Sequence, residues 1–441
     1  MSKKLLPLIS VLLIAAFLLA ACGAPAAPAA EPTKPAAAEP TKAPEPTKAP
    51  EATKAPEATA TVAAPAVKGT VTLWHAWKDN EIVSLNETIA AFNKLYPDVK
   101  FDVLYVPFDD LKGKFETAAG SGGGPSVLIG GADWGPGLYK AALIADLTKD
   151  IPEATLKAIN PAAMGAVQYN GALIGLPETL KGVVLFRNKT IVPEPAKDLD
   201  DLIAKAKAAT KGDVVGADLE YGFFFSAGHL MGNGGTLMND KGEPTFNDDK
   251  GVAWVELIKK FKDAGPVENY TDNDVNAFKA GKAGIIIDGS WNASTLAAAI
   301  GADNLVIDPW PTPLSGFVQT ENIYVSANTT GDDRAAAVKF VDFFLSAEAQ
   351  KILADPGTAD KPKAGHIPAI AGVEVTDPIS KMCVEAFTKG VAFPVIPEMG
   401  AYWDPMNNML KSVMDEGKDP KAALQAAFDA VTAKVAEIKK Q

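Results

Sequence analysis

Tryptophan recurs beside carboxylates, amides and lysine in four segments far apart in the 441-residue chain. They are Trp74-His75-Ala76-Trp77-Lys78-Asp79, Gly130-Gly131-Ala132-Asp133-Trp134-Gly135, Asp288-Gly289-Ser290-Trp291-Asn292 and Pro397-Glu398-Met399-Gly400-Ala401-Tyr402-Trp403-Asp404. Five of the seven tryptophans fall here, more than core packing alone accounts for. Two kinds of ligand want this combination. Sugars offer apolar C–H faces to aromatic rings and hydroxyls to carboxylates and amides, whereas organic cations want aromatic faces and negative charge. Each residue also has an ordinary reading. Trp74 lies within a strand and reads as core, Asp133 suits a turn or helix cap, and any tryptophan taken alone suits an interior as well as a pocket. His75 is balanced between a pocket donor and a hydrogen-bonded loop histidine.

These segments need a scaffold, and hydrophobic periodicity supplies one. Val71–Trp74 reads as a strand. Residues 81–96 carry Ile82, Leu85, Ile89, Phe92 and Leu95 at helical spacing and stop at Pro97. Val99–Val106 alternates as a strand, Leu111–Ala119 is a helix ended by Gly120, and Ser126–Ile129 is a third strand. This βαβαβ order predicts an α/β lobe with a largely parallel sheet. Further helices are expected at Leu199–Thr210, Gly251–Ala264, Asp332–Leu345 and Pro420–Lys439, with strands at Val183–Arg187, Gly284–Asp288 and Ile323–Ala327. In such sheets ligands settle outside the carboxyl ends of strands, where the first three tryptophan segments fall.

Size and charge bound the reading further. Removing the first 22 residues and a spacer of 45 leaves Lys68 to Gln441, enough for two lobes with separate cores. The net charge is −12, and since the first 22 residues carry +2 and the spacer −1, the body carries −13. So acidic a surface, without a lysine or arginine stripe, argues against nucleic acid. Cys22 and Cys383 cannot form a disulfide framework, and Cys383 reads as a small buried hydrophobe. His75, His229 and His366 are too scattered for a local metal motif. No cofactor motif is present, and there is no Gly-x-Ser-x-Gly elbow, His-Glu-x-x-His or P-loop lysine.

The N-terminus reads as an export signal: Lys3 and Lys4, an apolar run from Leu5 to Leu19, then small residues. Leu19-Ala20-Ala21-Cys22-Gly23 resembles the lipobox of bacterial lipoproteins, which implies cleavage before Cys22 and acylation there. More than one acyl chain holds a protein at a membrane far better than one. Residues 23–67 are a low-complexity spacer built on near-repeats such as Glu31-Pro32-Thr33-Lys34 and Glu39-Pro40-Thr41-Lys42. Its recurrent proline and lack of large apolar residues predict a disordered, extended leash.

The body resembles the extracellular solute-binding proteins of bacterial ABC importers, in the maltose-binding-protein-like, sugar-binding group. The matching motifs are Val71–Trp77, Gly124–Ile129 with Asp133, Tyr169–Pro177 followed by Leu185–Lys189, Phe278–Trp291 and Pro397–Trp403. The resemblance implies a two-lobed periplasmic-binding-protein fold of type II, each lobe a mixed sheet flanked by helices. Crossover hinge strands are expected near Leu176–Leu180 and Gln319–Ile323. The lobes are expected at 68–178 plus 320–375 and at 179–319 plus 376–441. The implied function is capture of a sugar or oligosaccharide in the cleft, closure, and delivery to a membrane permease by a monomeric, lipid-anchored, exported protein without catalysis. Trp77, Trp134, Trp291 and Trp403 would stack on the ligand. Asp133, Glu178 and Glu321 would accept hydroxyl hydrogen bonds, Lys78 and Asn292 would donate, and Phe223 or Tyr221 would add a wall, although the run Tyr221–Phe225 suits a core equally well. Three departures stand out: Gly130 where maltose binding uses tryptophan, Arg187 where tyrosine is common, and the charges of Glu178 and Lys181 in the crossover. A polyamine or betaine ligand on the same fold, a surface glycosidase and an adhesive lipoprotein are the competing readings.

Overall fold

The structure is a computed structural model that describes residues 66–440. The expected signal, Cys22 and the spacer up to residue 65 lie outside the described residues. The first lobe is built on three parallel strands in the order β2 (Val99–Tyr105), β1 (Gly69–His75), β3 (Val127–Gly131). Gly69 pairs with Val99 and Leu73 with Val127. Strand alternation then sorts the side chains. Val71, Leu73, Val127 and Ile129 enter one core with Phe92, Phe340 and Phe344, while Leu128 and Trp74 point to a second with Leu111, Phe115 and Leu138.

The helices follow the same logic. α1 (Asp79–Leu95) buries Leu85, Thr88, Ala91 and Phe92. Asp79 and Glu81 stand in its first turn, where the helix dipole favours negative charge. α2 (Phe108–Gly120) buries Leu111, Phe115 and Ala119, and the short α3 (Trp134–Lys140) begins immediately after β3.

Two long strands, Leu176–Asn188 and Phe317–Val325, run antiparallel between the lobes. The second pairs antiparallel with β3. The far half of the first pairs antiparallel with Ile285–Gly289 and Leu305–Asp308. The sheet is therefore mixed, and only the first lobe has the parallel run that βαβαβ predicted. Asp198, Asp248 and Asp419 cap three helices of the second lobe, each side chain accepting a backbone N–H of the first turn. Arg187 is buried there in a two-pronged pair with Asp308, at 2.6 and 2.9 Å, and donates to the carbonyls of Val192 and Pro193. It holds that lobe together and stands away from the cleft.

Three elements differ from the periodicity reading. The strands predicted at Val183–Arg187 and Ile323–Ala327 are pieces of the two long strands, whose remaining halves carry Glu178, Lys181, Thr320 and Glu321 and so show no apolar pattern. The expected helix at Gly251–Ala264 is an α-helix over Asp249–Lys259 followed by a 3₁₀ turn, Lys260–Asp263. The Pro397–Asp404 segment, read as a loop, is a 3₁₀ turn running into a helix at Trp403–Met414 that buries Met406, Met409, Leu410 and Val413.

Candidate functional site

The floor of the site is a buried polar network on the long strands. Glu321 accepts from the Trp77 indole N–H at 3.0 Å and pairs with Lys181 at 2.9 Å. Burial would raise the Glu321 pKa, but the Lys181 ammonium, the Trp77 indole N–H and His366 together outweigh it and hold the carboxyl below its ordinary range. Burial likewise opposes the Lys181 charge, and the surrounding carboxylates, Glu321 first, reverse the shift upward. Beside them His366 bridges Glu178, 3.2 Å from Nδ1, and Glu81, 3.1 Å from Nε2. Burial alone would lower the His366 pKa; the two carboxylates lift it to about 10, so the ring is an imidazolium. Burial pushes Glu178 up to about 7 against the pull of His366. Ions so far out of water persist because each has an opposite partner. A void of about 10 Å³ between Lys181, Trp291 and His366 has room for about one water.

The wall of the second lobe is aromatic. Trp291 and Trp403 are half-buried, and Phe224 lies 6.3 Å from each, roughly parallel to Trp403. Phe223 meets Trp403 edge-on at 5.6 Å, and Phe225 links Trp291 to Tyr270. Lys181 Nζ stands 5.2 Å from the centre of the Trp291 ring, a cation–π contact. Gly289 makes room for that indole: a Cβ there would come within 2.1 Å of it. Behind this wall Asp218, Glu220, Asp274 and Asp288 are buried, and among the described residues none has an ion-pair partner. Burial raises all four, Asp274 to about 9 and Glu220 to about 8, with repulsion from neighbouring carboxylates, Glu268 and Asp272 among them, adding to it.

Across from this wall the first lobe presents Asp133 at the start of α3. Its Oδ2 accepts from the Trp403 indole N–H at 3.1 Å, and burial raises its pKa to about 6. Asn80 makes a second bond between the lobes, donating to Ser294 Oγ at 2.8 Å. Among the described residues no group of His, Cys, Asp and Glu is arranged to hold a metal ion.

The family description "Bacterial extracellular solute-binding protein" matches residues 87–381, more than half of the chain. The chain belongs to that family. Among relatives of this solute-binding protein, the maltotriose-binding protein of Pyrococcus abyssi (strain GE5 / Orsay) is 26% identical over 388 residues, covering 82% of this chain and 81% of that one. The galactooligosaccharide-binding protein of Bacillus subtilis (strain 168) is 25% identical over 380 residues, covering 80% and 87%. The maltose/maltodextrin-binding domain MalE from Bdellovibrio bacteriovorus, solved with maltotriose, superposes with a TM-score of 0.76 at 21% identity, over 83% of this chain and all of that one. The fold is the two-lobed type II periplasmic-binding architecture.

Within this fold the sequence-predicted site residues divide. Asp133 and Trp403 meet through their hydrogen bond, Phe224 joins Trp403 to Trp291, and Asn292 donates to Asp288 at 3.0 Å. Lys78 is exposed at the N-terminal edge of α1. Trp77 departs from the stacking expectation: it is 2% exposed, in the first lobe's core, with its indole N–H given to Glu321 and its ring edge-to-face with His366 at 5.0 Å. Trp134, 5% exposed, lies over the end of β3 and packs on Phe108 at 4.9 Å. A Cβ at Gly130 would come within 2.2 Å of that indole, so Trp134 fills the space above Gly130. Glu178 and Glu321 are buried in the floor network, and Phe223 is fully buried as backing for Trp403. Phe224, Lys181 and His366 were missed as site residues. Lys181 was visible as a charge in an apolar stretch; His366 gave no local signal.

Proposed function

We propose that this solute-binding protein captures a sugar or short oligosaccharide between its lobes and delivers it to the transmembrane subunits of an ABC importer. One arrangement carries the reading: Trp291 and Trp403 of one lobe, backed by Phe224, opposite the Asp133 carboxylate of the other. Indole faces suit the C–H faces of a pyranose, and Asp133 and Asn292 suit its hydroxyls. The maltotriose- and galactooligosaccharide-binding relatives support the same ligand class. Because the two lobes contribute different groups, ligand favours the closed form by its differential affinity for it. In this reading the lobes comprise 68–178 with 320–375, and 179–319 with 376–441, and the protein acts as a monomer without catalysis. Export and a lipid on Cys22 hold it at the outer face of the cell membrane.

The test is mass spectrometry of the small molecule that co-purifies, followed by thermal melting with mono- and oligosaccharides. A specific ligand at 100 times its Kd adds about 2.7 kcal/mol. Stabilisation by spermidine or betaine and by no sugar overturns the ligand class. Incorporation of labelled fatty acid, lost in Cys22→Ala, tests the anchor.

A further inference from the structure

We infer that a second, weaker carbohydrate site lies on the first lobe, in an open groove lined by Tyr139 and Tyr169. The groove holds about 540 Å³, within the range of small-molecule sites, and its lining includes Tyr139, Lys140, Ile144, Asp146, Tyr169 and Asn170. It is distinct from the cleft. Asp133 and Trp134 stand at the start of α3, whereas Tyr139 and Lys140 stand at its other end, roughly 9 Å along the axis. The two tyrosine rings are 6.3 Å apart at 77°, and both are half-buried, so each keeps part of its surface in the groove.

The walls are preset by the backbone. α3 ends with Ala142 at φ 55° and the Leu143 N–H returned to the Leu138 carbonyl. Tyr169 leads into a tight hairpin turn, Asn170-Gly171, with φ of 49° and 82°. At the rim, Asp146 Oδ1 accepts both the N–H and the hydroxyl of Thr148, and the hydroxyl bond first of all holds the Asp146 pKa below its ordinary value. Asp146 stands exposed at this rim, and Asn170 adds an exposed carboxamide. One aromatic wall made of two tyrosines in edge-to-face contact, with one carboxylate and one amide, suits a pyranose ring. Lys140 at the rim, its ammonium given to the Ile438 carbonyl, and Lys149, which acts on Asp146, place positive charge beside the groove, which disfavours an organic cation.

The test is a titration of the protein, methyl-labelled at alanine and isoleucine, with maltotriose, cellobiose and xylobiose. Ala142, Ile144, Ala145 and Ala327 line the groove and report on it directly. At least one sugar is expected to shift these methyls in a separate phase at millimolar concentration, beyond any cleft transition. Tyr139→Leu and Tyr169→Leu should each weaken that phase roughly tenfold and leave the cleft transition unchanged. Groove methyls that stay still with all three sugars, or that move only with the cleft, overturn the site. So does a separate phase that survives both variants. Should either variant lose its native spectrum, Asn170→Gly keeps the left-handed turn and removes the amide; an unaltered phase there overturns the site too. A groove phase without a cleft transition would leave this site standing while the cleft ligand proposed above failed.

Discussion

Trp77 and Trp291 occupy equivalent places, each two residues beyond the end of a buried strand, yet they end in opposite environments. After β1 the Trp77 ring turns into the floor, where Glu321 takes its N–H and His366 meets its face. After Ile285–Gly289 the Trp291 ring folds back over a glycine and stays half open, with Lys181 on it and Phe224 beside it. The two sides also differ in charge. Ions around Trp77 are paired, whereas the carboxylates behind Trp291 have no cation among the described residues. A tryptophan at a strand end is therefore a platform only where no acceptor on a neighbouring strand claims its N–H and draws it inward.

The hardest test of that contrast is Trp77→Ala. Loss of a buried indole should cost about 3–5 kcal/mol in urea denaturation. Unchanged stability with lost ligand binding would reverse the roles given to the two rings. Lys181→Met leaves Glu321 buried without its cation and should cost about 3 kcal/mol, partly restored by adding Glu321→Gln. If the single variant is neutral, the floor is not held by its ion pairs. Trp291→Ala should cost about 1 kcal/mol of stability or less, because its ring is half open, while weakening maltotriose binding roughly tenfold or more in calorimetry. Equal stability losses in Trp77→Ala and Trp291→Ala would erase the distinction.

The smallest expected effect is in pH. Asp274, Glu220 and Asp288 have raised pKa values in the fold, so the folded state keeps protons that the unfolded state has released. The stability that these held protons contribute is full below about pH 4 and falls as pH rises towards 9. His366 acts in the same sense, with its contribution present below 6.5 and lost as pH rises through about 10. His75 and His229 are lowered to about 4 by burial, so their contribution is lost as pH falls from 6.5 to 4. Thermal melts should therefore give a lower Tm at about pH 9 than at about pH 6, and Asp274→Asn should narrow that gap by about 2 °C. A Tm that rises towards pH 9 would show that these carboxylates are not buried as described.

The legible parts of the fold were those whose stability is local. The stripe from Ile82 to Leu95, the alternation after Val99 and the helical spacing after Leu199 and Pro420 act within a few residues, and the elements form where they predict. The helix at Trp403–Met414 was missed because its start is rich in glycine and proline, although Met406, Met409, Leu410 and Val413 stand at helical spacing. The polar halves of the long strands were invisible to hydropathy because their charges are matched across strands rather than along the chain.

The residue types themselves settled a great deal: apolar spacing fixed the α/β order, and clustered indoles and carboxylates marked the segments where a site could form. Which of those indoles faces the cleft was decided only by the tertiary structure. That choice depends on partners 188 to 270 positions away, as in Glu178 with His366, Trp77 with Glu321 and Asp133 with Trp403. Desolvation and pairing energies belong to such encounters and not to any local stretch of chain, so they become readable only once the strands and loops have met.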